Sequence, residues 1–262
     1  MTDSFLHVFR FAWQRFFRFP REQRTPRRLS RNERGFVVPV TPLAGAAAGL
    51  LIWAVLALAQ RIAGRTAAAL LGAAVIPPVM EYLTGERGIR ALFTFMRCRE
   101  RGYGSMRILG AGLDDGGDGP PILPEKMLIP AVILLFRSCL YAVICLQSGM
   151  SWFLYTWTGV FLLFAELSLM PDRSTGAVSC PVRENGQNLH LFCAAGVFLL
   201  ASLILRDPVT AGIGFFAAWG LARGAAVLQC RAGGEIDRAV MALYGLAAEI
   251  LLLFLGVLLC RG

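Results

Sequence analysis

The chain has 262 residues, 56% of them apolar and only 16% charged, a balance that excludes an ordinary soluble globular protein and points to the lipid bilayer. The net charge of +9 rests almost wholly on Arg, Lys126 being the one Lys, and almost all the charges lie between the apolar runs. That placement argues against nucleic-acid binding and suits a membrane surface with anionic lipid, while the Arg skew reads as genome base composition.

Residues 1–40 match neither a cleavable signal peptide nor a transit peptide, because Gln14, Arg15 and Arg18 interrupt the apolar run 11–19. A short amphipathic helix remains. Phe5, Phe9, Trp13, Phe16 and Phe17 fall near one face with Arg10, Arg15 and Arg18 flanking it, as expected of a helix lying on the cytoplasmic leaflet. Pro20 ends this helix, and 24–34 reads as a solvated basic linker.

Apolar runs near 41–60, 66–83, 127–147, 149–170, 190–205, 208–229 and 239–260 are long enough to cross about 30 Å of hydrocarbon as helices, the fifth being short. The expected fold is therefore all-α, a polytopic bundle of about seven spans in one membrane domain, 41–262, with polar segments at 84–126, 171–189 and 230–238. Basic residues near the spans fix the orientation. The first forty residues hold nine Arg against three acids, and 84–126 holds six Arg and Lys126. Both belong in the cytoplasm, and counting spans forward brings 171–189 and 230–238 to the same side.

Within the second run, Pro77 and Pro78 should break the helix just before Glu81 and open its end toward the polar segments. Glu81, Arg137, Glu166, Arg223 and Glu249 lie inside spans, where each charge needs a partner or a water-filled cavity. Arg137 with Glu166, and Arg223 with Glu249, are the expected pairs on neighbouring spans. Arg223, close to the cytoplasmic end, is also the better phosphate-binding candidate.

The segment GAGLDDGGDGPP, 110–121, groups Asp114, Asp115 and Asp118 in a Gly-rich loop. Carboxylates this close repel unless a cation neutralises them, and Mg²⁺ prefers oxygen ligands and bridges to phosphates. A solvated acidic turn explains the same residues. In CRAGGEIDR, 230–238, Gly233 and Gly234 permit a tight turn, and Glu235 and Asp237 then open a helix. Acids there serve as caps whatever the function. Of the Cys, Cys139, Cys145 and Cys193 lie in spans as small apolar fillers. Cys98, Cys180 and Cys230, with His190, lack the spacing of a zinc site.

The order of these features resembles the cobalamin-5′-phosphate synthases, also called adenosylcobinamide-GDP ribazoletransferases. The Phe-rich opening ending in FRFPRE, the first span VVPVTPLAGAAAGLLIWAVLAL, the segment LTGERGIRAL and the closing RAGGEIDRAVMALYGLAAEILLLFLGVLL carry the likeness. LTGERGIRAL stands where that family has Thr-Gly followed by His-Leu-Asp-Gly-x-x-Asp-Thr-x-Asp-Gly. The closing stretch is similar to its Gly-Gly-x-Thr-Gly-Asp loop and following helix. The resemblance implies a multi-pass enzyme of the bacterial inner membrane, with its N-terminus cytoplasmic. Such an enzyme joins an α-ribazole nucleotide to GDP-activated cobinamide and releases GMP with the help of Mg²⁺. It is compatible with a homo-oligomer.

Aligned without gaps from Thr84-Gly85, the family's first two Asp correspond to Arg90 and Thr94, and its His to Gly88. SMRILGAG or LDDGGDG stands for the family's Met-Lys-Asp-Ser-Arg-x-Gly. Gly233 and Gly234 fit the last loop, and Asp237 fits after a one-residue deletion. Two readings follow. In one, the metal site has moved to Asp114, Asp115 and Asp118 with Asp237, and Arg223, Arg90 or Arg107, together with Gly233 and Gly234, hold the substrate. In the other, the chain is a catalytically inactive relative serving as a membrane binding or assembly subunit. A small transporter is the remaining class, although no internal repeat or matched pair of broken spans favours it.

Overall fold

The computed structural model describes residues 2–17, 31–84, 87–100, 103–111, 128–147, 149–170, 188–233 and 236–260. These residues are all-helical. In chain order the helices are α1 (Thr2–Phe16), α2 (Arg31–Ala74), α3 (Ile76–Thr84), α4 (Arg87–Glu100), α5 (Ser105–Ala111), α6 (Leu128–Leu146), α7 (Trp152–Leu167), α8 (Leu189–Leu205), α9 (Pro208–Ala232) and α10 (Arg238–Leu259).

Four stretches are long and apolar enough to cross a membrane: Gly35–Thr84, Leu128–Leu146, Pro208–Ala232 and Arg238–Leu259. Trp152–Leu167 and Leu189–Leu205 are shorter apolar helices. Leu58, Ile62, Leu135, Leu199, Leu203 and Phe216 are exposed on the outside, a distribution that suits contact with lipid and not with water.

The first of these stretches is a hairpin. Gly64 has φ 85° and ψ 176°, a backbone conformation open to Gly and strained for other residues. In a straight helix, Leu56 and Gly72 would stand about 24 Å apart. Instead, a side chain at Gly72 would lie 3.7 Å from Leu56 Cδ2, so the chain folds back on itself at Gly64. The returning arm breaks again at Val75, where Pro77 and Pro78 remove two donors and α3 begins. The first arm starts earlier than 41, at Arg31, and continues through Pro39 and Pro42. There the Thr41 hydroxyl donates to the Val37 carbonyl at 2.8 Å, and Val37, Val38 and Val40 are buried with Val8, Ala12 and Ala165.

Helix α7 is the axis of the bundle, since all its residues except Leu154 and Phe164 are buried. The first arm of α2 meets it backbone to backbone: a Cβ at Gly49 would lie 2.6 Å from the Phe153 carbonyl, and one at Gly45 would strike Trp157 and Phe161. Gly45 and Gly49, four residues apart, form the small-residue seam that lets two helices approach closely without a hydrophobic driving force. On the other sides Gly159 of α7 faces Ala218 of α9 and Leu252 of α10. Helix α1 lies across this assembly. Phe16 stacks on Phe164, and Phe17 on Phe161, while Phe5, Phe9, Trp13 and Phe17 contact one another in a row.

Helices α4 and α5 cover one end of the bundle, α4 on α10 and α5 on α9. Gln229 near the end of α9 donates through Nε2 to the Leu109 carbonyl at 3.2 Å. Helix α5 and the C-terminal end of α9 therefore meet at the same end.

Candidate functional site

Two ionic clusters tie the helices together. In the first, Arg137 of α6 is 1% exposed and meets two carboxylates from different elements. Its Nε donates to Glu249 Oε1 at 2.9 Å, Nη2 lies 2.9 Å from Glu249 Oε2, and Nη1 donates to Glu81 Oε1 at 2.7 Å. The Tyr141 hydroxyl donates to Glu249 Oε1 at 2.7 Å and accepts from Trp157 Nε1 at 3.3 Å. Both carboxylates are thus engaged, which is what makes burial of such charges tolerable.

Two carboxylates against one guanidinium would leave a negative charge in the interior. The start of α4 offsets it. Ile89 N–H points to Glu81 Oε2 at 3.4 Å, and a side chain on Gly88 would come within 3.0 Å of Glu81 Oε1. The positive end of the α4 dipole, roughly half a unit charge, therefore sits on the carboxylate. Glu81 works as a cap for α4 supplied by another helix.

The second cluster joins α7, α8 and α9. Glu166 Oε1 accepts from Arg223 Nη1 at 2.7 Å, and Glu166 Oε2 lies 2.7 Å from His190 Nε2. His190 is buried and its Nδ1 has no partner among the described residues, whereas the Arg223 side chain is 48% exposed. The first cluster is closed and satisfied. The second has an open cation and an unfilled polar atom, the features that mark a binding position rather than a purely structural one.

The observed pairs differ from those expected by span order. Arg137 pairs with Glu81 and Glu249 instead of Glu166, and Arg223 pairs with Glu166 instead of Glu249. Span order does not decide which helices touch. Because α7 is central, Glu166 faces α8 and α9, and Glu249 is left to α6.

Asp237 is the N-cap of α10, accepting from Val240 N–H at 2.6 Å, and Gly233 ends α9 with φ 147°. Arg90 is exposed on α4; Arg107 is on α5, and only its backbone is described. Asp114, Asp115, Asp118 and Gly234 lie outside the described residues. Among the described residues no three His, Cys, Asp or Glu side chains come together as metal ligands. Mg²⁺ does not fit them: Glu81 and Glu249 are committed to Arg137, and Glu166 to Arg223 and His190. At the positions aligned with the family's Asp motif, Arg90 is a cation and the Thr94 hydroxyl donates to the Arg90 carbonyl at 2.9 Å.

Tyr141 and Trp157 escape a reading by sequence, because an aromatic residue in an apolar run carries no polar signal. His190 does carry one, being a titratable residue at the first turn of a span, but its carboxylate partner is 24 residues away.

No family model matches the chain, and neither does any curated protein or solved structure.

Proposed function

We propose that the chain is a cobalamin synthase-like membrane transferase, joining an α-ribazole-type acceptor to GDP-activated cobinamide at the end of the bundle covered by α4 and α5. In this reading the two arms of the α2–α3 hairpin and helices α6 to α10 make seven crossings of a bacterial inner membrane. The covered end and the N-terminus face the cytoplasm, and α1 lies along that leaflet.

The observation that carries the reading is the Gln229–Leu109 hydrogen bond. It joins α5, whose SMRILGAG stretch is one candidate for the family's Met-Lys-Asp-Ser-Arg-x-Gly, to the helix that leads into the Gly233 turn. Arg90 and Arg99 are exposed on α4, so this end is basic as well as polar. A pyrophosphate there would meet guanidinium groups suited to phosphate oxygens. Transfer between phosphates and alcohols depends mainly on positioning and charge neutralisation, so a rim of this kind is the required starting point. A metal ion would have to be held by Asp114, Asp115 and Asp118, since the described carboxylates are committed elsewhere.

One observation favours a second reading, in which the chain binds the same ligands and does not turn them over. Gly88, aligned with the family's His, packs against Glu81 and holds α4 in place. A position of catalysis has there become one of structure.

The deciding experiment incubates the purified chain with GDP-cobinamide, α-ribazole and Mg²⁺ and follows GMP release. Turnover that vanishes when Asp114, Asp115 and Asp118 are replaced by Asn supports the transferase with a relocated metal site. Turnover that persists in that variant rejects those ligands. Saturable retention of GDP-cobinamide without GMP release supports the second reading, and neither binding nor release rejects both.

A further inference from the structure

The outer face of α9 toward the covered end combines features that the proposed transfer does not use. Gly220, Arg223, Gly224, Val227, Leu228 and Arg231 are all exposed, and their spacing places them on one side of the helix. A side chain at Gly220 or Gly224 would meet nothing within 4 Å, so the backbone is open on either side of Arg223. Gln229, which α5 covers, is buried about 120° around the helix from Arg223. Arg223 therefore does not face the α4–α5 side.

The exposed charges of α9 on this face are both positive. Neither α8 nor α9 contains an acidic residue. Glu166 is the carboxylate that reaches Arg223, and it is shared with His190. The guanidinium is held by one Nη while half the side chain stays exposed among apolar neighbours. Glu166 supplies one anion, and the exposed donors of the guanidinium stay open to a second oxygen acceptor. At 25 residues α9 is about 37 Å long, longer than the hydrocarbon thickness, and Arg223 is about 13 Å from its end. That depth leaves its Cα about 10 Å inside a centred hydrocarbon core, so its guanidinium approaches the headgroups only by snorkelling, while Arg231, one residue from the helix end, stands at their level. His190 Nδ1, buried in the same cluster without a partner among the described residues, calls for a ligand oxygen or a water.

We infer that this face of α9 binds the phosphate of an anionic phospholipid through Arg223 and Arg231, with an acyl chain lying over Gly220 and Gly224. The inference goes beyond the transferase reading and stands without it. It moves Arg223 from the substrate rim to a lipid site. A lipid suits the face better than a soluble phosphate, because Val227 and Leu228 beside the two Arg are exposed and apolar.

Trp219, exposed one turn from Arg223, offers a local reporter. The full chain is reconstituted in phosphatidylcholine vesicles in which either phosphatidylglycerol or phosphatidylcholine carries dibrominated chains, and the quenching lost on Trp219→Phe is taken as the Trp219 signal. Phosphatidylglycerol is expected to be preferred, by about five-fold for each Arg engaged. Arg231→Gln alters only an exposed side chain, so it tests the site even if Arg223→Gln fails to fold. Each variant should lower the preference about five-fold. Equal quenching by both lipids, or an unchanged preference in Arg231→Gln, overturns the inference. Loss of the preference on adding millimolar inorganic phosphate also overturns it, assigning the site to a soluble phosphate.

Discussion

Arg137 grips Glu249 with two parallel contacts, Nε to Oε1 and Nη2 to Oε2, each 2.9 Å long. The two residues are 112 positions apart in the chain, on α6 and α10. A planar guanidinium matches a carboxylate in this two-point geometry, and no other cationic side chain can. Nη1 remains for Glu81, so one side chain fastens α3, α6 and α10.

Replacing Arg137 by Ala leaves two carboxylates buried without their cation. Such a loss typically costs about 3–5 kcal/mol. The expected outcome is a large fall in the unfolding midpoint of the purified protein in detergent. Arg137→Lys should recover part of it, since a point charge replaces the fork. Glu81→Gln and Glu249→Gln should each cost less than Arg137→Ala, because each leaves the guanidinium one carboxylate. A midpoint unchanged in Arg137→Ala would mean that the cluster is hydrated and not a structural tie.

The contact of α2 with α7 depends on glycine. Gly49→Ala places a methyl group 2.6 Å from a backbone oxygen, and backbone cannot turn away as a side chain can. Overpacking of this kind costs about 1–3 kcal/mol. Gly220→Ala, where the space is open, should be neutral or slightly stabilising through helix propensity. Comparing the two unfolding midpoints checks the seam; equal shifts would show that α2 and α7 are not in backbone contact.

Glu81 anchors α4 from outside that helix. Glu81→Gln keeps the shape and removes the charge facing the α4 N-terminus, an interaction worth up to about 2 kcal/mol when partly buried. Limited proteolysis should then cut more quickly between α3 and α4, near residues 85–87. Gly88→Ala, crowding Glu81 Oε1, should act in the same direction with less force. Cleavage rates equal to those of the native chain would remove the cap from the account.

The Gln229–Leu109 bond also makes a prediction about sidedness. Cys230 is exposed at the end of α9, and a Cys placed by Asp115→Cys should be labelled by a membrane-impermeant maleimide from the same side of sealed vesicles. A Cys placed by Arg61→Cys, beside the Gly64 fold-back, should be labelled from the other. Labelling of 115 and 230 from opposite sides would sink both the end-face site and the transferase proposal.

Much of the helical layout can be read along the chain. The break before Glu81 follows from Pro77 and Pro78, and the fold-back between the first two runs falls at Gly64, inside the short polar stretch 61–65. The start of α2 cannot be read in the same way. The first apolar run opens near 41, yet the helix begins at Arg31 and continues through Pro39 and Pro42, where Val37, Val38 and Val40 pack with Val8 and Ala12 of α1. The candidate site is legible only in part. Glu81, Arg137, Glu166, Arg223 and Glu249 stand out as charges in apolar runs, while Tyr141, Trp157 and the role of His190 do not.

The sequence by itself determined that apolar helices dominate and that a handful of buried charges must find partners, because the cost of placing a residue in hydrocarbon is a local property of that residue. Which charge meets which was decided only in three dimensions. Pairing depends on the neighbours of each helix, and these were set by α7 taking the centre, where Gly45 and Gly49 allow α2 to close upon it. Once α7 was enclosed, Glu166 could reach only α8 and α9, and Arg137 was left to bind Glu81 and Glu249. Desolvation demanded that the pairs form, and packing chose them.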